Sequence, residues 1–335
     1  MKVNIKKISE ITGFSIATVS NALNNKRGVS KETAQRIFQV AMETGYLLPH
    51  GIQHIKLVIY KNSGMVVADT PFFTALINGV EQESRAAGLE TLVCSLDRQA
   101  PDFQDQLDQL LSAPNCGLLL LATEMGPEDI RPFESALSPL VVLDNWFEEA
   151  DLDAVLIGNT HAACQAGKYL VRKGHREIGY LKGSLRIQNF LRREAGLVQA
   201  LEAAGLVLSP DFCFSLTPTI PGACQDMAAA LENASALPTA FFADNDMIAL
   251  GAMRALQEKG YRVPEDVSVI GFDDLPYGAI SYPALTTVQV PKEEMGRQGV
   301  RRLLEAAKGE EACRTKLQVL GKFVERESVK DRNKG

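Results

Sequence analysis

Short apolar segments alternate with amphipathic segments along most of this chain, and this alternation constrains its fold more than any other feature. From Lys56 onward the apolar segments have the length and composition of buried parallel strands. Ten such strands are more than a single twisted sheet usually contains, so the pattern predicts an α/β body with two parallel sheets in two lobes. The predicted strands are Lys56–Tyr60, Thr91–Cys94, Gly117–Leu121, Leu140–Asp144, Ala154–Ile157, Ile178–Leu181, Phe212–Phe214, Ala240–Ala243, Val267–Phe272 and Thr287–Val290. The predicted helices are Phe72–Ala87, Phe103–Ala113, His161–Arg172, Leu191–Ala204, Gly222–Glu232, Asp246–Lys259 and Lys292–Ala307.

The first 49 residues, here called the head, follow a different pattern, that of three short helices. The first helix runs from Ile5 to a stop at Gly13, and Ser15 can cap a second helix from Ile16 to Asn24. Ser30 can cap the third. The second helix has a small apolar face and, opposite it, a row of small side chains, which suits the major groove of DNA.

Charge also separates the head from the body. The head contains seven lysines and arginines and three acidic residues, so its net charge is +4, whereas that of the whole chain is −6. The body therefore carries −10. A solvated basic face on an ordinary three-helix domain is the alternative, but a basic head on an acidic body indicates that the head alone meets phosphate.

Motifs in the head resemble those of one protein family. Ala-Thr-Val-Ser-Asn-Ala-Leu-Asn at residues 17–24 is followed by Val29-Ser30 and by Gly45-Tyr46. This series resembles the LacI/GalR family of bacterial transcription regulators. The resemblance implies a repressor that binds operator DNA as a homodimer and responds to a small-molecule effector.

The resemblance continues through the body, over nearly the whole chain. It implies an all-α helix-turn-helix head (1–49), a short atypical linker (50–56) and an α/β two-lobed body of the type I periplasmic-binding-protein kind. The N-terminal lobe would comprise 57–157 and 288–314, and the C-terminal lobe 158–287 and 315–330, with crossovers near Ile157, Thr287 and Thr315. The motifs are Gly-His-Arg at 174–176, Arg-Glu-Ala-Gly at 193–196, Asn-Asp at 245–246, Val-Pro-Glu-Asp-Val-Ser at 263–268, Gly-Phe-Asp-Asp at 271–274, Pro-Ala-Leu-Thr-Thr at 283–287 and Arg-Glu-Ser at 326–328.

Side chains that follow the predicted strands indicate where a ligand binds, since ligands of open α/β sheets lie beyond the carboxyl ends of the strands. Asp69, Phe72 and Phe73 follow the first strand. An aromatic face suits the C–H side of a sugar or a purine ring, and one of the two phenylalanines is expected to be helix core. Trp146 could stack on a sugar or lie on the surface of its lobe.

The resemblance adds polar groups to this site. Arg193 matches the family's effector-contacting arginine, which can hold hydroxyls, a carboxylate or a phosphate. Asn189 would line the same wall, and Asp246 could cap its helix or accept from ligand hydroxyls. Asp273 ends a strand and His161 opens the helix after a crossover, so both are further candidates. Together these groups predict a sugar or sugar derivative as the effector, with a purine-like corepressor as the alternative.

In the head, the second helix carries the predicted base contacts. Asn21 can pair with adenine, and Ile16 and Ala17 can touch thymine methyl groups. Lysines and hydroxyl side chains are better placed for phosphate. The predicted DNA contacts are Lys6, Ile16, Ala17, Thr18, Ser20, Asn21, Asn24, Ser30, Lys31 and Thr33.

The linker departs from the family pattern, in which a hinge helix places a leucine in the minor groove. Here the segment 47–56 is short and contains Pro49 and Gly51, which disfavour a helix. We therefore predict that it stays non-helical on DNA. Ile52 or Ile55 acting as a minor-groove wedge is the alternative, which we do not favour.

Other function classes find little support in the sequence. The chain has no apolar run long enough to span a membrane and no signal peptide, so we expect a cytoplasmic location without membrane association. The four histidines lack metal-ligand spacing, and no phosphate-binding loop or nucleophile–base set is evident. We expect no metal, no cofactor and no catalytic residues. A solute-binding protein for import is a further alternative, and the basic head and the missing signal peptide count against it.

Overall fold

The head is a bundle of three helices in the computed structural model, which describes residues 4–23, 28–44, 52–67, 71–113, 116–308 and 313–334. Its helices are α1 (Ile5–Thr12), α2 (Ile16–Leu23) and α3 (Lys31–Glu43). The Asn4 side chain caps α1 by accepting from the backbone N–H of Lys7 at 3.1 Å, and Gly13 ends it at a φ of 76°. Ile8, Val19 and Ile37 are fully buried between the three helices. Ile5, Ile8 and Ile11 recur at helical spacing in the sequence, but Ile11 is half exposed.

The N-terminal lobe is built on a parallel sheet of six strands in the order β11-β5-β4-β3-β1-β2. Apolar side chains fill both faces of the central strands, as a sheet covered on both sides requires. Helices α4 and α11 pack against each other on one side of this lobe. The strands are β1 (His54–Lys61), β2 (Glu90–Asp97), β3 (Cys116–Leu121), β4 (Leu140–Leu143), β5 (Asp153–Ile157) and β11 (Lys316–Val319), and the helices are α4 (Pro71–Ala86), α5 (Phe103–Leu111) and α11 (Lys292–Ala306).

The C-terminal lobe has a four-stranded parallel sheet in the order β7-β6-β8-β9. Helices α6 and α7 form one packed pair and α8 and α9 another. A Cβ on Gly196 would lie 2.3 Å from the carbonyl oxygen of Thr160, so only glycine allows α6 and α7 to approach this closely. The elements are β6 (Ile178–Gly183), β7 (Cys213–Leu216), β8 (Ala240–Ala243), β9 (Ser268–Ile270), α6 (Asn159–Arg172), α7 (Gln188–Glu202), α8 (Ile220–Asn233), α9 (Asp246–Glu258) and α10 (Pro276–Ile280).

The chain passes between the lobes on neighbouring segments. The first passage follows β5, since the next helix, α6, belongs to the C-terminal lobe. The strands β10 (Thr287–Gln289) and β12 (Lys322–Val324) pair as a short antiparallel ribbon. Along the chain, β10 comes before α11 and β11 of the N-terminal lobe, and β12 comes after them. The third predicted crossover, near Thr315, is wrong. Residues 316–319 form β11 and pair with β5, so the last passage to the C-terminal lobe comes a few residues later, between β11 and β12.

Two isoleucines of the predicted linker belong to the body. Ile55 is fully buried in β1, and Ile52 is buried against the sheet, 2.8 Å from where a Cβ on Gly117 would lie. Neither side chain is free to enter a DNA groove in this structure. Residues 45–51 lie outside the described residues, so the predicted absence of a hinge helix there stays a prediction.

Candidate functional site

The outward face of α2 carries the predicted base-reading residues. Ile16 is 52% exposed and Ala17 is exposed, whereas Val19 and Ala22 on the opposite face are buried. Asn21 is partly exposed on the outward face. This arrangement leaves a short helix edge of apolar and amide groups that can be presented to a major groove.

The predicted phosphate contacts surround that face. Lys6 on α1 is exposed, and the hydroxyls of Thr18 and Thr33 bond to the capping serines Ser15 and Ser30. Ser20 is partly exposed on α2. Asn24 and the Lys31 side chain lie outside the described part of the chain, so their assignments remain predictions.

A second site lies in the cleft between the lobes, where the carboxyl ends of both sheets meet. The cleft is closed around a cavity of about 30 Å³, room for roughly one water molecule. Five of the nine residues predicted to bind an effector line it, namely Phe72, Phe73, Asn189, Arg193 and Asp273. Both phenylalanines line the cavity, with ring centroids 5.0 Å apart, and both also belong to the buried hydrophobic core, so the two roles are not exclusive here.

Arg193 is the central cation of the cavity. Its Nε donates to Asn159 Oδ1 at 2.8 Å, its Nη1 donates to the carbonyl oxygen of Asp244 at 2.5 Å, and its Nη2 lies 3.2 Å from Asp273 Oδ1. The guanidinium also stacks on Phe272, 3.7 Å from the ring centroid. Nε and Nη1 therefore have hydrogen-bond acceptors, and Nη2 forms an ion pair with Asp273 whose Oδ1 accepts no hydrogen bond, so the group is fixed at the cavity wall.

A chain of polar groups continues from Arg193 across the cleft. Asn159 Nδ2 donates to Asn189 Oδ1 at 2.8 Å, and Asn189 Nδ2 donates to Asp144 Oδ1 and to its carbonyl oxygen, both at 3.0 Å. Asp144 follows β4 in the N-terminal lobe and also accepts from Thr123 Oγ1 at 2.7 Å. Because Asn189 and Asp144 belong to different lobes, these bonds hold the cleft closed.

Asp144 is buried and has unusual backbone and acid–base properties. Its φ is 65°, a left-handed conformation that is uncommon for a non-glycine residue and frequent at functional sites. Burial raises the pKa of its carboxyl to about 6, and nearby Asp273 adds to this effect, while Thr123, Arg193 and Asn189 oppose it. Sequence reasoning missed Asp144 and Thr123, although both directly follow strands and the same strand-end rule would have found them.

Asp246 does not line the cavity, contrary to prediction. Its Oδ2 accepts from the backbone N–H of Leu275 at 2.6 Å, and its Oδ1 accepts from Thr287 Oγ1 at 2.6 Å. A Cβ on Gly271 would come within 2.2 Å of Oδ1, so the carboxylate is packed tightly on that side as well. Burial raises the pKa of Asp246 to about 7. The side chain thus ties α9 to a crossover segment and to Leu275, which lines the cavity.

The other predicted effector residues have different surroundings. His161 is exposed on α6 and does not line the cavity, so that assignment is wrong. Trp146 lies beside the cleft between two cations, with Arg192 and Lys316 each 5.1 Å from its ring centroid, and does not line the cavity either. Asp69 lies outside the described residues.

The turn after β9 is fixed by two side chains that come later in the sequence, Lys292 and Arg326. Asp273 and Asp274 both have positive φ, 109° and 53°. Lys292 Nζ, at the start of α11, donates to their two carbonyl oxygens, and Arg326 Nη2 donates to Asp274 Oδ1 at 2.6 Å. These bonds aim Asp273 at Arg193 and connect the turn to a helix that packs in the N-terminal lobe.

Glu124 organises one wall of the cleft and was also missed by sequence reasoning. Its buried carboxylate accepts from five backbone N–H groups of residues 62–67, at 2.8 to 3.3 Å. Burial alone would raise the pKa of Glu124, but these bonds outweigh it and lower the pKa. The loop they hold presents Val66, which packs against Ile187 and Phe190 of the opposite lobe.

The described residues contain neither a candidate metal site nor a membrane-spanning helix. Within the described ranges, no group of three or more histidine, cysteine or acidic side chains is arranged to hold a metal ion. The described helices include none long and apolar enough to cross a membrane.

Comparison with known proteins agrees with this two-part organisation. The family model described as "Bacterial regulatory proteins, lacI family" matches residues 4–48, and that described as "Periplasmic binding protein-like domain" matches residues 168–329. The HTH-type transcriptional repressor PurR of Mannheimia succiniciproducens is 32% identical over 97% of this chain and 98% of that protein.

Solved structures show the same fold. The transcriptional regulator CelR in complex with cellobiose has a TM-score of 0.74 and 25% identity, covering 97% of this chain and 99% of that one. The lac repressor dimer bound to operator and the anti-inducer ONPF has a TM-score of 0.72 and 23% identity, covering 98% of this chain and 100% of that one. The predicted fold, a helix-turn-helix head on a two-lobed periplasmic-binding-like body, is confirmed. The chain belongs to the lacI family of bacterial regulatory proteins.

Proposed function

We propose that this protein is a transcriptional repressor whose operator affinity is set by a small molecule bound between its two lobes. One observation carries the proposal: the same chain holds an exposed recognition helix and a closed cleft whose walls are bonded to each other. A ligand that replaces the bonds between Asn189 and Asp144 changes the balance between lobe arrangements. We propose binding and not catalysis as the activity, exercised in the cytoplasm.

The effector we favour is a sugar or sugar derivative. The cavity combines paired phenylalanine rings with Asp144, Asn189 and Asp273, which suits the apolar face and the hydroxyl groups of a pyranose or furanose. The cellobiose-bound neighbour supports this class. A purine-like corepressor is the second candidate, because a relative that shares 32% identity is named PurR and the same aromatic rings would stack on a base.

The proposal is tested by two measurements on the full chain. Selection from random DNA should recover a motif with two related half-sites, and single sugars and purines are then added to the operator complex. One compound should change operator affinity about tenfold or more. Arg193→Ala should remove this response while preserving operator binding. Arg254→Ala, an exposed arginine on α9, serves as the matched control. Failure to recover any motif would contradict the proposal.

We further propose that the protein acts as a homodimer through exposed apolar side chains of the body. Ile280 and Tyr282, at and beyond the end of α10, are 83% and 89% exposed, and Leu92 and Val93 are exposed on the edge strand β2. Ile280 and Tyr282 lie two residues apart, and adjoining exposed apolar side chains are characteristic of interfaces. Sedimentation should show that Ile280→Glu produces monomers. Val207→Glu, at an 85% exposed position elsewhere in the C-terminal lobe, should leave the dimer intact.

The head is proposed to be positioned by a short tether, not by a minor-groove wedge. Ile52 and Ile55 are buried in the N-terminal lobe, and only seven residues separate Thr44 from Ile52. Eight residue steps reach at most about 29 Å. Rotation of the lobes in a dimer would therefore change the distance between the two heads, and half-site spacing would report it.

A further inference from the structure

The two carboxylates that line the cavity differ in their cationic partners. Its ionisable lining groups, within the part of the chain that the structure describes, are Asp144, Asp273 and Arg193. All three are buried, with at most 8% of their surface exposed. The lining thus holds two carboxylates and one guanidinium, and Lys292, which binds the Asp273–Asp274 turn and lies 5.7 Å from the Phe72 ring centroid, is a further cation on the Asp273 side.

The guanidinium is committed to Asp273. The ion pair between Arg193 Nη2 and Asp273 Oδ1 measures 3.2 Å, and the remaining Arg193 nitrogens bond to Asn159 and to the Asp244 carbonyl. Lys292 lies behind Asp273, where it binds the backbone of the Asp273–Asp274 turn. Asp273 is therefore compensated by side chains of the protein itself.

Asp144 has no such cation. Its side-chain partners are neutral, the hydroxyl of Thr123 at 2.7 Å and the amide of Asn189 at 3.0 Å. Among the described residues no lysine, arginine or histidine forms an ion pair with it. A buried carboxylate without a cationic partner is costly when ionised. Burial and the facing Asp273 carboxylate accordingly raise its pKa to about 6, with Arg193 only partly offsetting them.

A ligand can supply the missing charge. A neutral sugar could donate hydroxyl hydrogen bonds to Asp144 but would leave that carboxylate without a cationic partner. A protonated amine supplies hydrogen-bond donors and a compensating charge together, and charge-assisted bonds are roughly twice as strong as neutral ones. The apolar face of the ligand ring would meanwhile rest on Phe72 and Phe73.

We propose that the effector carries a protonated nitrogen that binds Asp144, and that it is an amino sugar or a similarly small ring bearing an amine. This inference rests on the proposed effector site between the lobes. The cavity of about 30 Å³ requires the lobes to open before any such ring enters. Closure then exchanges part of the Asn189–Asp144 contact for the contact between ligand and Asp144.

The test uses sugars that differ in one group. Calorimetry on the full chain at neutral pH compares glucosamine, galactosamine and mannosamine with the parent hexose of each and with its N-acetyl form, which retains the nitrogen without the charge. At least one amino sugar should bind about tenfold or more tightly than both of its neutral counterparts. Asp144→Asn should weaken that amino sugar about tenfold and leave its parent hexose nearly unchanged.

The matched control is Asp246→Asn, because Asp246 is a buried carboxylate with a raised pKa that does not line the cavity. It should retain the preference for the amine. A neutral form that binds as tightly as its amine, an Asp144→Asn protein with undiminished amine affinity, or failure of every amino sugar to bind would each overturn the inference. The proposed function is judged separately by operator binding in the same preparation, so the two failures are distinguishable.

Discussion

Replacing Asp144 by asparagine should remove part of the pH dependence of folding stability. Asparagine has nearly the same shape and can still accept from Asn189, while the Thr123 hydroxyl can rotate to accept from its amide. The substitution therefore deletes the ionisation with little change in packing. The groups that face Asp144 are Thr123, Asn189, Arg193 and Asp273.

The size and sign of the effect follow from the raised pKa. In the folded protein the pKa of Asp144 is about 6, against an ordinary value of 3.8. Between about pH 4 and pH 6 the folded state holds a proton that the unfolded state has lost, so wild-type stability falls as pH rises through this window. The difference corresponds to about 3 kcal/mol at most. Asp144→Asn should match the wild type near pH 4 and exceed its free energy of unfolding by up to about 3 kcal/mol at pH 7.

Urea unfolding at a series of pH values measures this difference directly. Asp244 and Asp246 have raised pKa values in the same range, so only the curve of variant minus wild type isolates Asp144. Asp105→Asn, at an exposed position on α5, is the control and should give a flat difference curve. A flat curve for Asp144→Asn, or one in which the wild type gains on the variant as pH rises, would refute the reasoning.

Three further outcomes are expected. Asn21→Ala should cost about 1–3 kcal/mol of discrimination at one base pair, whereas Lys6→Ala should weaken binding to operator and random DNA alike and flatten the salt dependence of binding. Equal losses of affinity for both DNAs in Asn21→Ala, measured by fluorescence anisotropy, would show that Asn21 does not read a base. Glu124→Gln places an amide among N–H donors, so it should release the Val66 loop, speed effector dissociation and expose amides 62–67 to hydrogen exchange. Val66→Ala should also speed dissociation but keep those amides protected. Unchanged dissociation in both variants would contradict the idea that the Val66 contact helps to keep the cleft closed. Insertion of flexible residues after Gly51 should leave DNA binding intact but uncouple it from effector, and an unaltered effector response would argue against a taut linker.

Sequence reasoning located the parts of the site that depend on one local pattern. Arg193 and Gly196 share one motif, and the structure places the glycine at the close contact with α6 and the arginine at the cavity wall. Phe72, Phe73 and Asp273 lie at the cavity because they follow strands whose carboxyl ends meet there. Most strands agree with prediction because each is a short run of buried apolar residues.

Long-range pairing explains what the sequence could not show. Asp246 also follows a strand, but Thr287 and the Leu275 N–H, distant in sequence, occupy its oxygens. β11 was missed because it is an edge strand with Lys316 and Gln318 in only four residues, so it lacks the apolar run of a central strand. The role of Glu124 depends on a loop some sixty residues earlier, and no local sequence pattern predicts these bonds between its carboxylate and that loop's backbone.

In the closed cleft, polar groups that are predicted to contact a ligand are bonded to other groups of the protein. The polar chain from Arg193 through Asn159 and Asn189 to Asp144 satisfies groups that a ligand would otherwise contact. An effector must compete with these internal bonds, so its affinity reflects the difference between two sets of contacts. Mutations that weaken the bonds between Asn189 and Asp144, which join the lobes, should therefore shift the lobe equilibrium even without ligand.

The head should bind a specific DNA sequence, and the body should regulate that binding. The most direct test of this specificity is selection of binding sites from random duplex DNA by the full chain, followed by anisotropy titration of the selected sequence and a scrambled control. The expected result is a motif of two half-sites, bound with an affinity at least about a thousandfold above that for the scrambled duplex. Equal affinity for both duplexes, with no motif enriched, would contradict sequence-specific binding by the head.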